Sequence, residues 1–182
     1  MNEETKKAAM DALLARHGIA DYKWIAPQSI VVSQWVRMKC MYGCSEYGKN
    51  ACCPPNTLPV PECRTFFDEY KTALIFRFEK KVEKPEDRKL WSRQVNQGLS
   101  KLERDVFLAG YQKAFLLFMD SCQLCADCTA LRADCKNAVM ARPAPEAMAV
   151  DVFATARASG YPIEVLSDYN QAMNRYAFLL VE

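Results

Sequence analysis

The sequence predicts an α/β or α+β fold: a mixed sheet with crossover helices, in a single domain over 1–182, carrying two cysteine-rich metal-binding loops on one edge. Three observations predict it. Alternating or solidly apolar segments (72–78, 114–119, 176–181) stand between segments whose apolar residues recur at three- and four-residue steps. The order strand, long helix, strand describes a crossover unit with chemistry at the second strand's end. The cysteines gather in two stretches, 40–63 and 122–135, and Gly43, Gly48 and the Pro54-Pro55 pair keep the first of them sharply folded.

Taken in order, residues 3–17 form a short amphipathic helix with Met10, Leu13 and Leu14 on one side and Gly18 as its stop. His17, the only histidine, is read as a solvated residue of the last turn. The β-branched and aromatic run from Ile30 to Met38 reads as a strand leading into Cys40. The loop after it holds Cys40, Cys44, Cys52 and Cys53, bent by Gly43, Gly48, Pro54 and Pro55. A short helix covers Glu62–Tyr70, and Thr72–Phe78 is a strand with Leu74, Phe76 and Phe78 on one face.

Pro85 opens the longest helix, which runs to about Ala109 with Trp91, Val95, Leu99, Leu102 and Val106 on its apolar stripe; Gly110 ends it. The strand Ala114–Met119 then releases the chain into Cys122. Pro145 begins a last helix that Gly160 and Pro162 end, and Ile163–Leu166 with Tyr176–Val181 read as closing strands in a hairpin.

Composition excludes several classes. A chain of 182 residues, 51% hydrophobic, builds a core without needing cysteines as staples. A net charge of +2 without a dense Lys/Arg run gives no footprint for nucleic acid. The longest apolar run, Ala114 to Met119, is far short of a membrane span, and MNEETKKAAM has no apolar targeting core. A reduced cytoplasm is the expected compartment, where nine cysteines read as ligands rather than disulfides. No nucleophile–base pair, no phosphate loop and no second histidine supports side-chain catalysis, and whether the protein is an enzyme stays open.

The chemistry-bearing pattern is Cys122-x2-Cys125-x2-Cys128, with Cys135 following. Three thiols at such intervals match the start of a ferredoxin run, which wraps one face of an iron–sulfur cube. Zinc ribbons separate two C-x2-C knuckles, so zinc fits less well and stands as the alternative. Cys135 follows Cys128 after six residues, where the bacterial ferredoxin run has three, and no proline comes next.

The tract Trp35-Val36-Arg37-Met38-Lys39-Cys40 is followed by Tyr47-Gly48-Lys49-Asn50 before Cys53-Pro54-Pro55, and by Glu69-Tyr70-Lys71. Later come the three-cysteine run, Ala141-Arg142-Pro143, Glu146-Ala147-Met148 and Asp151-Val152-Phe153. Together these resemble the family of predicted metal-binding proteins termed domain of unknown function 2284, from about Trp35 to Phe153. The resemblance implies metal binding, in the iron–sulfur class, in anaerobic bacteria and archaea, and it implies no reaction. It also implies the ligand sets: Cys40, Cys44 and Cys53 in the first loop, and Cys122, Cys125, Cys128 and Cys135 in the second. Cys52 and Cys63 stand outside that pattern. Cys52 cannot easily share a metal with Cys53, because neighbouring side chains diverge; Cys63 reads as a buried thiol. Either one could still close the first set to four.

These readings define one or two [4Fe–4S] clusters, with redox or small-molecule sulfur chemistry at a first-loop cluster that has one open iron. A redox partner protein or a small ligand is the implied partner. A zinc-bearing structural or sensing module is the alternative. Around the first loop, Arg37, Lys39 and Lys49 read either as compensation for thiolate charge, or capture of an anionic substrate, or as plain surface; Tyr42 and Tyr47 read either as donors to sulfur or as core aromatics. In the second, Asp127 and Asp134 read as solvation, Arg142-Pro143 as a lock against the following helix, and Glu146 as a first-turn acid.

Overall fold

Phe178 lies at the centre of a four-stranded sheet, opposite Ile75 on one side and Leu117 on the other. The computed structural model describes residues 3–168 and 171–182. The strands are β1 (Tyr22–Ile25), β2 (Ala73–Lys80), β3 (Phe115–Leu117) and β4 (Met173–Leu180), in the order β1-β2-β4-β3 with every neighbouring pair antiparallel. Among the described residues, five α-helices accompany them: α1 (Glu3–Arg16), α2 (Gln34–Gly43), α3 (Val60–Asp68), α4 (Pro85–Leu108) and α5 (Val152–Ala158).

Because β2 and β3 both run antiparallel to β4, they are parallel to each other, and α4 is the crossover between them. The expected strand–helix–strand unit is therefore present, but β4 is inserted between its strands, as in split βαβ arrangements. The expected mixed sheet is corrected to an antiparallel one.

Period-two alternation divides the core between two faces. Ala73, Ile75, Tyr176, Phe178 and Leu180 pack on α3 and α5 through Phe67, Cys63, Val152 and Ala156. Leu74, Phe76, Ala177, Leu179 and Phe118 pack on α1 and α4 through Met10, Leu14, Leu99, Leu102 and Val106. Each fully buried Leu or Phe among these contributes roughly 2 kcal/mol of transfer free energy. Sheet and helices thus have an apolar core apart from the thiol loops.

Several expectations are corrected. The Ile30–Met38 strand is not a strand: Val32 makes one isolated bridge to Val150, and Gln34 starts helix α2. Val36 and Arg37 face inward while Trp35 and Met38 lie at the surface, so burial on one helical side overrides the β-branched local preference. The closing hairpin is absent, since 163–166 is unpaired and β4 spends both edges on β2 and β3. The Pro145 helix is interrupted: one 3₁₀ turn, Glu146–Met148, ends at Ala149 with a left-handed φ of 59°. Helix α5 then starts afresh with Asp151 as its cap, accepting from the Ala154 N–H at 2.9 Å. Strand β1 had no sequence signal strong enough to stand out. His17 is not freely solvated either: its Nε2 lies 2.9 Å from Asp105 Oδ2 on α4.

Candidate metal centres

The second cysteine loop leaves edge strand β3 and is held along its length by a polar stripe on α4. Arg88 and Ser92 both bind the Asp120 carboxylate, the guanidinium through two contacts of 3.2 and 2.7 Å and the hydroxyl at 2.7 Å. Burial works to raise the Asp120 pKa, yet Arg88, Arg175 and Ser92 hold the carboxyl below its ordinary range. One turn on, Asn96 donates to the Met119 and Ser121 carbonyls at 3.0 and 3.4 Å. Arg93 donates to the Gln123 and Cys125 carbonyls at 2.7 and 3.3 Å. Glu103 closes the far end by accepting from Arg142 at 2.8 Å. Arg142 therefore does lock the loop exit, but against α4 rather than the helix that follows.

The first loop leaves the end of α2 and folds onto the second. Asn50, only 4% exposed, makes the junction. Its Oδ1 accepts from the Cys52 N–H at 2.9 Å, and its Nδ2 donates to the Cys122 carbonyl at 3.1 Å. Its own carbonyl accepts from the Cys53 N–H at 3.0 Å, which closes a tight turn over residues 50–53. Asn56 adds a bond from Nδ2 to the Ala130 carbonyl at 2.7 Å.

This junction sorts the thiols into two groups. Cys122, Cys125, Cys128 and Cys135 line a small chamber with Cys52, Asn50, Ala51 and Asn137, enclosing a cavity of about 20 Å³. That volume admits one water-sized atom. Two sulfurs already accept hydrogen bonds: Cys128 from the Ala51 N–H at 3.3 Å and Cys125 from Asn137 Nδ2 at 3.0 Å. Cys40, Cys44 and Cys53 instead line an open cleft of about 590 Å³, with Arg88, Lys89 and Glu146 among its walls. The Cys40 thiol lies 3.9 Å from the Glu146 carbonyl.

The crowding is visible in the acidities. Within the chamber the adjacent Cys52 and Cys122 thiols shift each other, Cys52 upward with burial adding to the rise and Cys122 downward. In the cleft, burial first and then neighbouring Cys44 and Cys40 push Cys53 up to about 12. Burial and Cys44 likewise raise Cys40. Thiols packed this closely cannot all ionise on their own; a bound cation removes that obstacle. Soft sulfur donors with N–H groups aimed at them fit a soft metal. Among the described residues, no three His, Cys, Asp or Glu side chains are grouped tightly enough to hold a single ion as they stand.

Cys63 belongs to neither group. It is fully buried in the core beside α5, with its thiol 3.4 Å from the Leu58 carbonyl, and burial raises its pKa. Arg37 is not a surface cation: it is buried and donates to the Leu58 and Ala147 carbonyls at 2.9 and 3.0 Å, tying α2 to the cleft floor. Lys39 sits over the Trp35 ring, 5.4 Å from its centroid. Tyr42 is 80% exposed, so it is not a core aromatic; Tyr47 lines the cleft. Asn50, Arg93, Asn96 and Asn137 are site residues that sequence reasoning missed. The polar series Ser92, Asn96, Ser100 and Glu103 at three- and four-residue steps inside an apolar helix was the available signal.

The sheet with its two thiol groups defines a cysteine-rich, metal-binding α/β protein. The chain belongs to the family described as Predicted metal-binding protein (DUF2284), whose model matches residues 23–181. No curated protein and no solved structure matches it. Among the described residues no helix is long and apolar enough to cross a membrane.

Proposed function

We propose that this chain is an iron–sulfur protein with two unlike thiolate centres, one closed and one open to a small ligand. The observation that carries this reading is the separation of adjacent Cys52 and Cys53 into different cavities, a chamber of about 20 Å³ and a cleft of about 590 Å³. The chamber has the C-x2-C-x2-C run and N–H donors to two sulfurs, a means of tuning cluster potential. The cleft offers three thiols, Cys40, Cys44 and Cys53, and space beside them. A metal held there supplies Lewis-acid or one-electron chemistry to a ligand in the cleft. Arg88 and Lys89 on the cleft wall favour a small anionic or sulfur-containing ligand. A cytoplasmic setting with a redox partner protein suits such a protein.

A second reading is zinc in the chamber, favoured by the 20 Å³ volume, which suits one ion without widening of the loop. Anaerobic purification followed by iron, labile sulfide and zinc analysis separates the two. Iron with matching sulfide supports the clusters; zinc without sulfide overturns them.

A further inference from the structure

We infer that Cys52 is a ligand of the closed centre, in place of one of the four second-loop cysteines, and that its peptide bond to Cys53 couples filling of the closed centre to assembly of the open one. The inference rests on the two-centre reading above.

The two cavities share a wall one residue thick. On the first loop, Cys52 lines the chamber and Cys53 lines the cleft. On the second, Cys122 lines the chamber while its neighbours Ser121 and Gln123 line the cleft. Both segments therefore divide neighbouring side chains between the same two spaces. Asn50 binds the two plies to each other through the Cys52 N–H and the Cys122 carbonyl. Cys52 is also only 5% exposed, and it lines the chamber beside Cys122. A buried cysteine lining the chamber with the second-loop thiols has the placement of a ligand, unlike Cys63, which lies in the apolar core with its thiol against the Leu58 carbonyl.

Coupling follows from the same geometry. The chamber thiols surround a common space without converging on one point. Filling the chamber rearranges them around the metal, and Cys52 moves with the wall. Cys53 is one peptide bond away, and its N–H is fixed to Asn50, so its sulfur is positioned by the same step. A state favoured by one ligand and competent for the second makes the two bindings mutually reinforcing, and the effect is reciprocal.

The test uses full-length protein, reconstituted anaerobically with iron and sulfide, with metal content and electron paramagnetic resonance read for each centre. Cys53→Ala should remove the open centre's signal. Cys52→Ser should weaken iron retention of both centres against a chelator by at least tenfold, while Cys63→Ala changes neither. Wild-type retention in Cys52→Ser, or loss confined to one centre, overturns the inference. If Cys52→Ser does not fold, alkylation of the wild-type protein during chelation decides. Cys52 should become reactive in step with Cys122 and Cys53, ahead of Cys63; release together with Cys63 overturns it. A wild-type protein that takes up no iron or sulfide sinks the underlying two-centre reading instead, and is distinguishable from either result.

Discussion

Glu103 and Arg142 form an ion pair at 2.8 Å, and the same Glu103 oxygen accepts from the Leu116 backbone N–H at 2.9 Å. One carboxylate on α4 thus fixes both the strand that enters the second thiol loop and the residue that leaves it. Arg142 continues the tie by donating to the Val139 carbonyl at 2.9 Å, and it stacks 5.6 Å above the Phe115 ring. The loop ends are set by α4 before any thiol is engaged.

Removing that carboxylate should be costly. The Glu103 side chain is only 7% exposed, so Glu103→Ala leaves a largely buried guanidinium without its partner and an N–H without an acceptor. A loss of about 3 kcal/mol is expected, the lower end for breaking a buried pair from one side. Lys101→Ala, an exposed change two residues away on the same helix, should stay within about 0.5 kcal/mol. Urea unfolding midpoints at constant slope measure both.

A second expectation concerns alkaline pH. Tyr161 and Tyr176 are buried with ring centroids 5.6 Å apart; their hydroxyls donate to Asp21 at 2.8 Å and to the Pro162 carbonyl at 2.5 Å. Burial, then the Asp21 contact, raises Tyr161; burial raises Tyr176 to about 12. A folded pKa above the unfolded value gives stability that is complete below the unfolded pKa and is lost as pH rises. Stability should therefore be flat up to about pH 10, the ordinary tyrosine value, and decline from there towards pH 12. Tyr176→Phe should lessen that decline in melts taken between pH 8 and about 11. An unchanged slope would show that Tyr176 is not the group responsible.

What the sequence made legible follows from which forces act locally. The α4 stripe, the apolar alternation of β2 and the C-x2-C-x2-C run are local patterns, and each appears where it was expected. Helix α2 was misread because Val36 and Trp35 carry strand preference, while their fate depends on the distant carbonyls of Leu58 and Ala147 that Arg37 reaches. The hairpin failed for a similar reason, since β4 gains two partners at the sheet centre and only one at a hairpin edge. In the site, the spacing gave the second thiol group but not the place of Cys52. That place depends on Asn50, whose side chain bridges loops 72 residues apart in sequence.

Cys63 provides a control within the same chain. It is buried in the apolar cluster and lines neither thiol cavity, so Cys63→Ala should leave iron and sulfide content unchanged. The cost should be modest, about 1 kcal/mol for a small buried side chain. Cys125→Ser, by contrast, should lose one whole centre, because a hard hydroxyl replaces a soft thiolate poorly. It should also lower the melting temperature, since metal binding energy is available only to the folded chain. Equal metal content in the two variants would remove Cys125 from the ligand set.

The open centre makes the most specific demand on function. Cys40, Cys44 and Cys53 lie on a cleft of about 590 Å³ that also carries Arg88 and Lys89, whereas Cys52 and the four second-loop thiols surround a chamber of about 20 Å³. A metal with three protein sulfurs beside that cleft has a coordination position for an external ligand; one inside the chamber does not. Anaerobic titration with cyanide or hydrosulfide should therefore perturb one paramagnetic resonance signal and leave the other unchanged. The response should disappear in Cys44→Ala, whose side chain is exposed and whose loss costs little packing. Arg88 is already engaged with Asp120, so Lys89→Ala is the cleaner test of charge: it should weaken hydrosulfide binding by severalfold and flatten its dependence on ionic strength. If both signals respond alike, or neither does, the division into an open and a closed centre fails and plain electron carriage becomes the better account.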